Sequence, residues 1–166
     1  PRFEQVEALD LHCRGLAGTG ALLEARLING GAAPEPAESE ALTGMAAAGY
    51  RIRIVRDLVL DARQERWLVP LELQAEYQLT RQHVASAEHV HRIKALVRDM
   101  ALQAVLDLDR AVARIVPENA WRHRHFLLRI HLDRRIGQKL LARPERIARE
   151  RVATGRTGDA IATWRR

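Results

Sequence analysis

Asp57 and Asp61 stand four residues apart in the run Arg56-Asp-Leu-Val-Leu-Asp61. On a helix their carboxylates share one face, a turn apart. Leu58, Val59 and Leu60 between them are all apolar, and a carboxylate in such surroundings needs a cation or several N–H donors. With Arg53 and Arg56 just upstream, the group has the parts to hold Mg²⁺ and the anion it carries. Magnesium takes one or two carboxylates and completes its shell with water and phosphate oxygens. The bland alternative is an ordinary helix in which both acids pair with Arg53 and Arg56. The two readings differ in consequence. Metal ligands held close without cations repel each other, so replacing both by Asn leaves the fold intact or firmer. Structural partners, if fully buried, would strand guanidinium groups at a cost on the order of 3–5 kcal/mol.

Helices must position these groups. Residues 3–28 read as one helix, with the small run Ala17-Gly-Thr-Gly-Ala21 in its middle. Glycine destabilises a helix interior, so a close helix contact or a passing ligand is expected on that face. Asn29-Gly30-Gly31 ends this helix, and the next starts at Ser39 or Glu40 and runs to about Gln64. Pro70 cannot sit inside a helix, so 71–86 reads as a short helix and a loop, with Thr80 as an N-cap. From Ala87 to Ile115 the set Val90, Ile93, Val97, Met100, Ala104, Leu108, Ala111 and Ile115 steps by three or four, the signature of a long amphipathic helix. A further helix spans Ala120–Leu141, with Trp121, Leu128, Leu132, Ile136 and Leu140 as its buried stripe. Pro144 opens a short helix to Val152, within a basic C-terminal tail, 144–166, that carries Gly155, Gly158 and Trp164. Nothing alternates in the manner of a strand, so the fold class is all-α, a helical bundle in one domain over 1–166.

Composition narrows the setting. Of 166 residues 47% are hydrophobic, enough for a core, while one cysteine excludes an intrachain disulfide framework and fits a cytoplasmic protein. No apolar run reaches membrane-spanning length, which leaves at most peripheral membrane contact. The net charge of +6 calls for an anionic partner. Nucleic acid is the less favoured one: there is no zinc-finger spacing, no phosphate-binding glycine loop and no set of base-stacking aromatics, only an Arg-rich stretch at 122–151. His89-x-His91 and His123-x-His125 do not chelate, since i and i+2 on a helix diverge; all four read as surface or boundary residues. Cys13 reads as a packing residue. The start at Pro1-Arg2-Phe3, without Met, leads us to expect further residues upstream.

The stretch Gly49–Pro70 resembles the second aspartate-rich motif of the squalene/phytoene synthase family, Gln-x-x-Asn-x-x-Arg-Asp-x-x-x-Asp followed by Gly-Arg-x-Tyr-Leu-Pro. Arg56, Asp57, Asp61, Arg66 and Pro70 fall on matching positions. Asp10-Leu-His-Cys-Arg-Gly-Leu-Ala-Gly-Thr19 is similar to the family's Tyr-Cys-x-x-Val-Ala-Gly-Thr segment, and Leu73–His83 to the segment after its Leu-Pro. The resemblance covers most of 3–115 and, more vaguely, helices to about 143. Four positions depart: Tyr50 and Arg53 replace Gln and Asn, and Glu65 and Leu68 replace Gly and Tyr.

The resemblance implies a bundle like the second half of the isoprenoid synthase fold, and transfer of a prenyl group from an isoprenoid diphosphate with release of diphosphate. It assigns Asp57 and Asp61 to Mg²⁺ and, with Arg56, to catalysis. Arg53, Tyr50 and Arg66 go to the substrate, and Leu16, Ala17 and Thr19 to its prenyl-chain side. The family's first aspartate-rich motif has no counterpart here, so it is expected from a second helical chain in a hetero-oligomer or from a segment upstream. The alternatives are a degenerate, non-catalytic subunit of such an enzyme and a small basic helical nucleic-acid-binding protein.

Overall fold

The computed structural model describes residues 2–148 and 151–153, and among them there is no β-strand. The first rod is α1 (Val6–Cys13), a π-helical turn at Arg14–Gly18, and α2 (Thr19–Ile28). Gly30 and Gly31 end it at φ +64° and +99°, a backbone that side chains resist and glycine tolerates. The long central helix, α3 (Pro36–Arg63), starts three residues before Ser39. Pro36 fits its first turn, where the missing N–H would be unsatisfied anyway. Then follow α4 (Leu71–Glu76), short 3₁₀ turns at Arg81–Ala85 and Ala87–His89, and α5 (Val90–Val112). Thr80 precedes the first of those turns, its backbone N–H donating to His83 Nδ1 at 3.2 Å.

The single helix expected over 120–141 is two, α6 (Pro117–Arg122) and α7 (Arg124–Ala142), broken at His123. The break takes Trp121 out of the stripe, and within α7 the buried face follows alternating steps of three and four, from which the expected set, stepping by four throughout, drifts away. Ile136 and Leu140 are buried, but their companions are Phe126, Ile130, Asp133 and Gly137. Trp121 is 72% exposed, its ring covered by the Arg124 guanidinium at 4.9 Å, and Leu128 and Leu132 are half-buried. The break also overturns the surface reading of His123. It is buried, and its Nε2 lies 2.5 Å from Oε1 of Glu38, itself buried in the first turn of α3. A 3₁₀ turn, Pro144–Ala148, replaces the expected last helix. Gly155, Gly158 and Trp164 lie outside the described residues.

The core forms around α3, which packs on α5, α7 and the α1–α2 rod. On α5, Ile93, Leu96, Val97, Ala101, Ala104, Val105, Leu108 and Ala111 are buried, while Val90 and Met100 are half-buried; Ile115, expected on the same helix, lies past its end and is half-buried. Leu96 and Leu108 expose nothing and each contributes about 2–3 kcal/mol by burial. Arg134 on α7 forks onto Asp109 of α5 (2.6 and 3.0 Å), tying those helices at the rim. Ala41–Gly49 of α3 is mostly small residues, which lets neighbours approach: a Cβ on Gly18 of the π-turn would come within 2.6 Å of Thr43 Cγ2. That contact is the reason for one of the mid-helix glycines. Gly15 and Gly20 face open space. No described helix is long and apolar enough to cross a membrane.

Candidate functional site

α3 carries the aspartates on its C-terminal third, where its buried apolar side (Ile54, Val55, Leu58, Val59, Ala62) is flanked by charge. Asp57 and Asp61 are equally sheltered, each side chain 17% exposed. Asp57 is held from two sides. Arg56 donates Nε to Oδ1 at 2.9 Å and Nη2 to Oδ2 at 2.5 Å, and Arg151 donates Nε to Oδ1 at 2.7 Å and Nη2 to Oδ2 at 3.0 Å. Burial raises the pKa of this carboxyl, but the hydrogen bonds and charges of Arg56 and Arg151 outweigh it and bring the value down to about 2. It is therefore ionised at any physiological pH.

Asp61 is gripped by Arg66, whose Nε and Nη2 both reach Oδ1, at 3.1 and 2.7 Å. The turn ending α3 makes this possible. Arg66 N–H bonds back to the Asp61 carbonyl at 2.8 Å and Glu65 N–H to that of Ala62 at 3.2 Å. This is a Schellman arrangement, which needs a left-handed residue at its penultimate position. That residue is Glu65, at φ +61°. The Gly expected here by resemblance has a conformational reason, and the departure to Glu introduces strain at the joint that places Arg66.

Arg53 is not a partner of either aspartate, as the ion-paired alternative had it. Its Nε faces Asp133 Oδ2 on α7 at 3.9 Å, and its guanidinium lies over the Tyr50 ring at 5.6 Å. Tyr50 is half-buried beside the small cluster of Phe3, Leu9, Cys13, Ala47 and Ile54. Leu16 and Thr19 are exposed and Ala17 half-buried; the Thr19 hydroxyl donates to the Gly15 carbonyl at 2.5 Å within the π-turn. The structure does not bring this segment to the aspartates. Gly18 packs at Thr43, and the fourteen residues from there to Asp57 span roughly 20 Å of helix. Cys13 is fully buried and burial pushes its thiol up to about 12, which suits packing and not nucleophilic chemistry.

Two functional candidates escaped the sequence. Arg151 lies 94 positions from Asp57, and no spacing rule connects them. Asp133 had a weak signal, an acid one turn from each of Ile130 and Ile136, hidden by the misplaced stripe. A groove of about 660 Å³ runs beside Arg66, Trp67, Thr80 and Arg81, and Asp57 does not line it. The candidate site is at the aspartates, where the ionised Asp57 carboxylate lies one turn from Asp61 on α3.

The donor set fits a magnesium ion bound in company. Asp57 and Asp61 are two carboxylates one turn apart, and among the described residues no cluster of three His, Cys, Asp or Glu side chains could hold a metal unaided. The remaining positions would fall to water and phosphate oxygens, as magnesium prefers. Arg151 and Arg66, each with 60% of its side chain exposed, cap these carboxylates with guanidinium groups that solvent already reaches.

The family model for squalene/phytoene synthase matches residues 1–157. A search of curated proteins finds no match to this chain.

Proposed function

Because this chain belongs to the squalene/phytoene synthase family, whose members point to a prenyltransferase-like function, we propose that it binds an isoprenoid diphosphate at the C-terminal end of α3. The observation that carries this reading is the pairing of an ionised Asp57 with two forked guanidinium groups a turn from Asp61 and Arg66. Such a site exchanges partners in kind. A Mg²⁺–diphosphate unit presents a cation to the carboxylates and anionic oxygens to the released arginines. Asp57 and Asp61 would hold the metal, which supplies charge neutralisation for the departing diphosphate. Arg56 and Arg66 add fixed positive charge where the oxygens gain negative charge as the allylic C–O bond breaks and diphosphate leaves with the electron pair. The prenyl cation is then taken by the π electrons of the acceptor, with a second isoprenoid diphosphate as the acceptor the family suggests, and the new cation loses a proton to the released diphosphate.

The distance along α3 supports an elongated substrate. With its head at Asp57, an apolar chain lying along the helix runs toward Leu16, Ala17 and Thr19, roughly 20 Å away. On that rod Leu11, Leu16, Leu23 and Leu27 are 72, 56, 56 and 82% exposed, four large apolar side chains that a partner surface would cover. We infer that a further helical layer covers them, from a second chain or from residues preceding Pro1, and that this layer brings the opposing aspartate motif. The buried, unpaired Cys13 is consistent with a cytoplasmic setting.

A second reading, a non-catalytic subunit, draws on the same double pairing of Asp57, which would then be permanent. The nucleic-acid reading has less support, since Arg129 pairs with Glu24 and Arg134 with Asp109, spending charge that would face phosphates. One titration separates these. Inorganic diphosphate is added to the purified chain with and without Mg²⁺, and to an Asp57→Asn/Asp61→Asn variant. Binding that requires Mg²⁺ and drops at least a hundredfold in the variant is expected. Equal binding by both proteins, or none by either, rejects the metal-site assignment.

A further inference from the structure

Arg53 and Asp133 form a pair that the metal-site reading does not use. Arg53 sits one turn before Asp57 on α3, the i, i+4 relation in which a guanidinium and a carboxylate ordinarily meet. It is turned away. Asp57 is held by Arg56 and Arg151, while Arg53 faces Asp133 across the α3–α7 interface at 3.9 Å. The Arg53 Nε is buried and makes no hydrogen bond. Asp133 has only 10% of its side chain exposed; Arg53 is the guanidinium within ion-pair distance of it and the largest charge acting on it, with Arg56 and Arg129 adding less. A carboxylate so enclosed is unfavourable without a cation. α3 makes room for it: a Cβ on Gly49, one turn before Arg53, would lie 2.8 Å from Asp133 Oδ2. Gly49 and Arg53 thus share one face of α3, the first admitting the carboxylate and the second answering it.

A free guanidinium one turn from Asp57 would compete for that carboxylate and repel a divalent cation held there. At about 6 Å, the spacing of i, i+4 neighbours, like charges interact at energies that matter even in partly solvated surroundings. We propose that Asp133 is a positioning residue: it anchors Arg53 against α7 and offsets its charge, so that Asp57 and Asp61 keep their affinity for a cation although arginine stands in a turn next to them. The inference rests on the metal-dependent diphosphate binding proposed above.

The test is the gain in diphosphate affinity that Mg²⁺ confers, measured by calorimetric titration of inorganic diphosphate with and without the ion. Four proteins are compared: the unaltered chain, Asp133→Asn, Arg53→Asn and Arg53→Asn/Asp133→Asn. In Asp133→Asn the released Arg53 should tighten metal-free diphosphate binding several-fold and cut the Mg²⁺ gain about tenfold, within the usual range of site-to-site coupling. With Arg53 also replaced, the gain should return to within about twofold of the Arg53→Asn value. A merely structural role for Asp133 would weaken both arms together and would not be rescued. Circular dichroism and thermal melting accompany each variant. Should Asp133→Asn unfold, Gly49→Ala, which pushes on the same carboxylate, is expected to lower the gain in the same direction. An unchanged gain in Asp133→Asn, or one that stays low in the double variant, overturns the inference alone. No Mg²⁺ gain in the unaltered chain overturns it together with the proposed function.

Discussion

Near its N-terminus α3 carries Glu38, whose side chain is 4% exposed and touches a His123 that is 1% exposed. Near its C-terminus it carries Asp57 and Asp61, each 17% exposed, whose partners Arg151 and Arg66 are 60% exposed. Both ends of one helix hold acids by charged or polar contacts, yet the two ends answer to different physics. At the first, neither group can find water if the contact is lost, so the pair fastens the α6–α7 break onto α3. At the second, the arginines reach solvent on one side and can be traded for another cation. Enclosure, not the presence of an ion pair, separates a fastening from a site.

The largest effect should fall at the enclosed end. Glu38→Ala leaves a buried histidine without its partner, at about 3 kcal/mol, and a melting point roughly 10 °C lower for a chain of this size. Scanning calorimetry reads this directly, with diphosphate binding by the residual folded protein unchanged. A loss below about 1 kcal/mol would erase the contrast between the two ends.

Asp57→Asn should cost less, about 2 kcal/mol, and in a pH-dependent way. The folded value of Asp57, about 2, lies below its ordinary 3.8. The stability it contributes is therefore fully present above pH 4 and disappears as pH falls toward 2. Denaturant melts at pH 7 and at pH 2 should show the variant's deficit shrinking toward zero at the lower pH. The sequence set two outcomes for replacing both aspartates, a fold left intact or firmer and a loss of several kcal/mol; the single change is expected to fall between them, since Arg56 is sheltered at 15% exposure while Arg151 reaches solvent. A deficit that persists at pH 2 would show that Asp57 acts through shape and not charge.

The smallest effect runs the other way. Glu65→Gly relieves a left-handed backbone that disfavours side chains by about 1–2 kcal/mol, less the chain entropy glycine adds in the unfolded state. A net gain of roughly 0.5–1 kcal/mol is expected. The Glu65–Arg81 contact it removes, at 3.5 Å with Glu65 83% exposed, contributes little. Chemical denaturation gives the sign; destabilisation would mean that Glu65 holds the α3 turn through its side chain.

Much was legible in the order of residues because local rules fix it. The all-α class, the end of the first rod at Gly30-Gly31, the amphipathic α5 and the placement of Asp57 and Asp61 on one face follow from turn chemistry and a 3.6-residue period. The aspartate motif, with Arg66 and Pro70 behind it, likewise pointed to the family. What tertiary structure alone decided are the partners. Periodicity says which side of a helix is apolar but not which groups from distant helices arrive there. The break at His123 moved Trp121 out of the interior, and the packing of α7 against α3 chose the face that carries Asp133. Chain reversal through the Schellman turn laid Arg66 on Asp61, and the burial of Ile147 and Val152 in the bundle carried Arg151 to Asp57, 94 residues away. Charges interact through space with a range of several ångströms and no regard for sequence separation, so the electrostatics of this site exist only once the helices are packed.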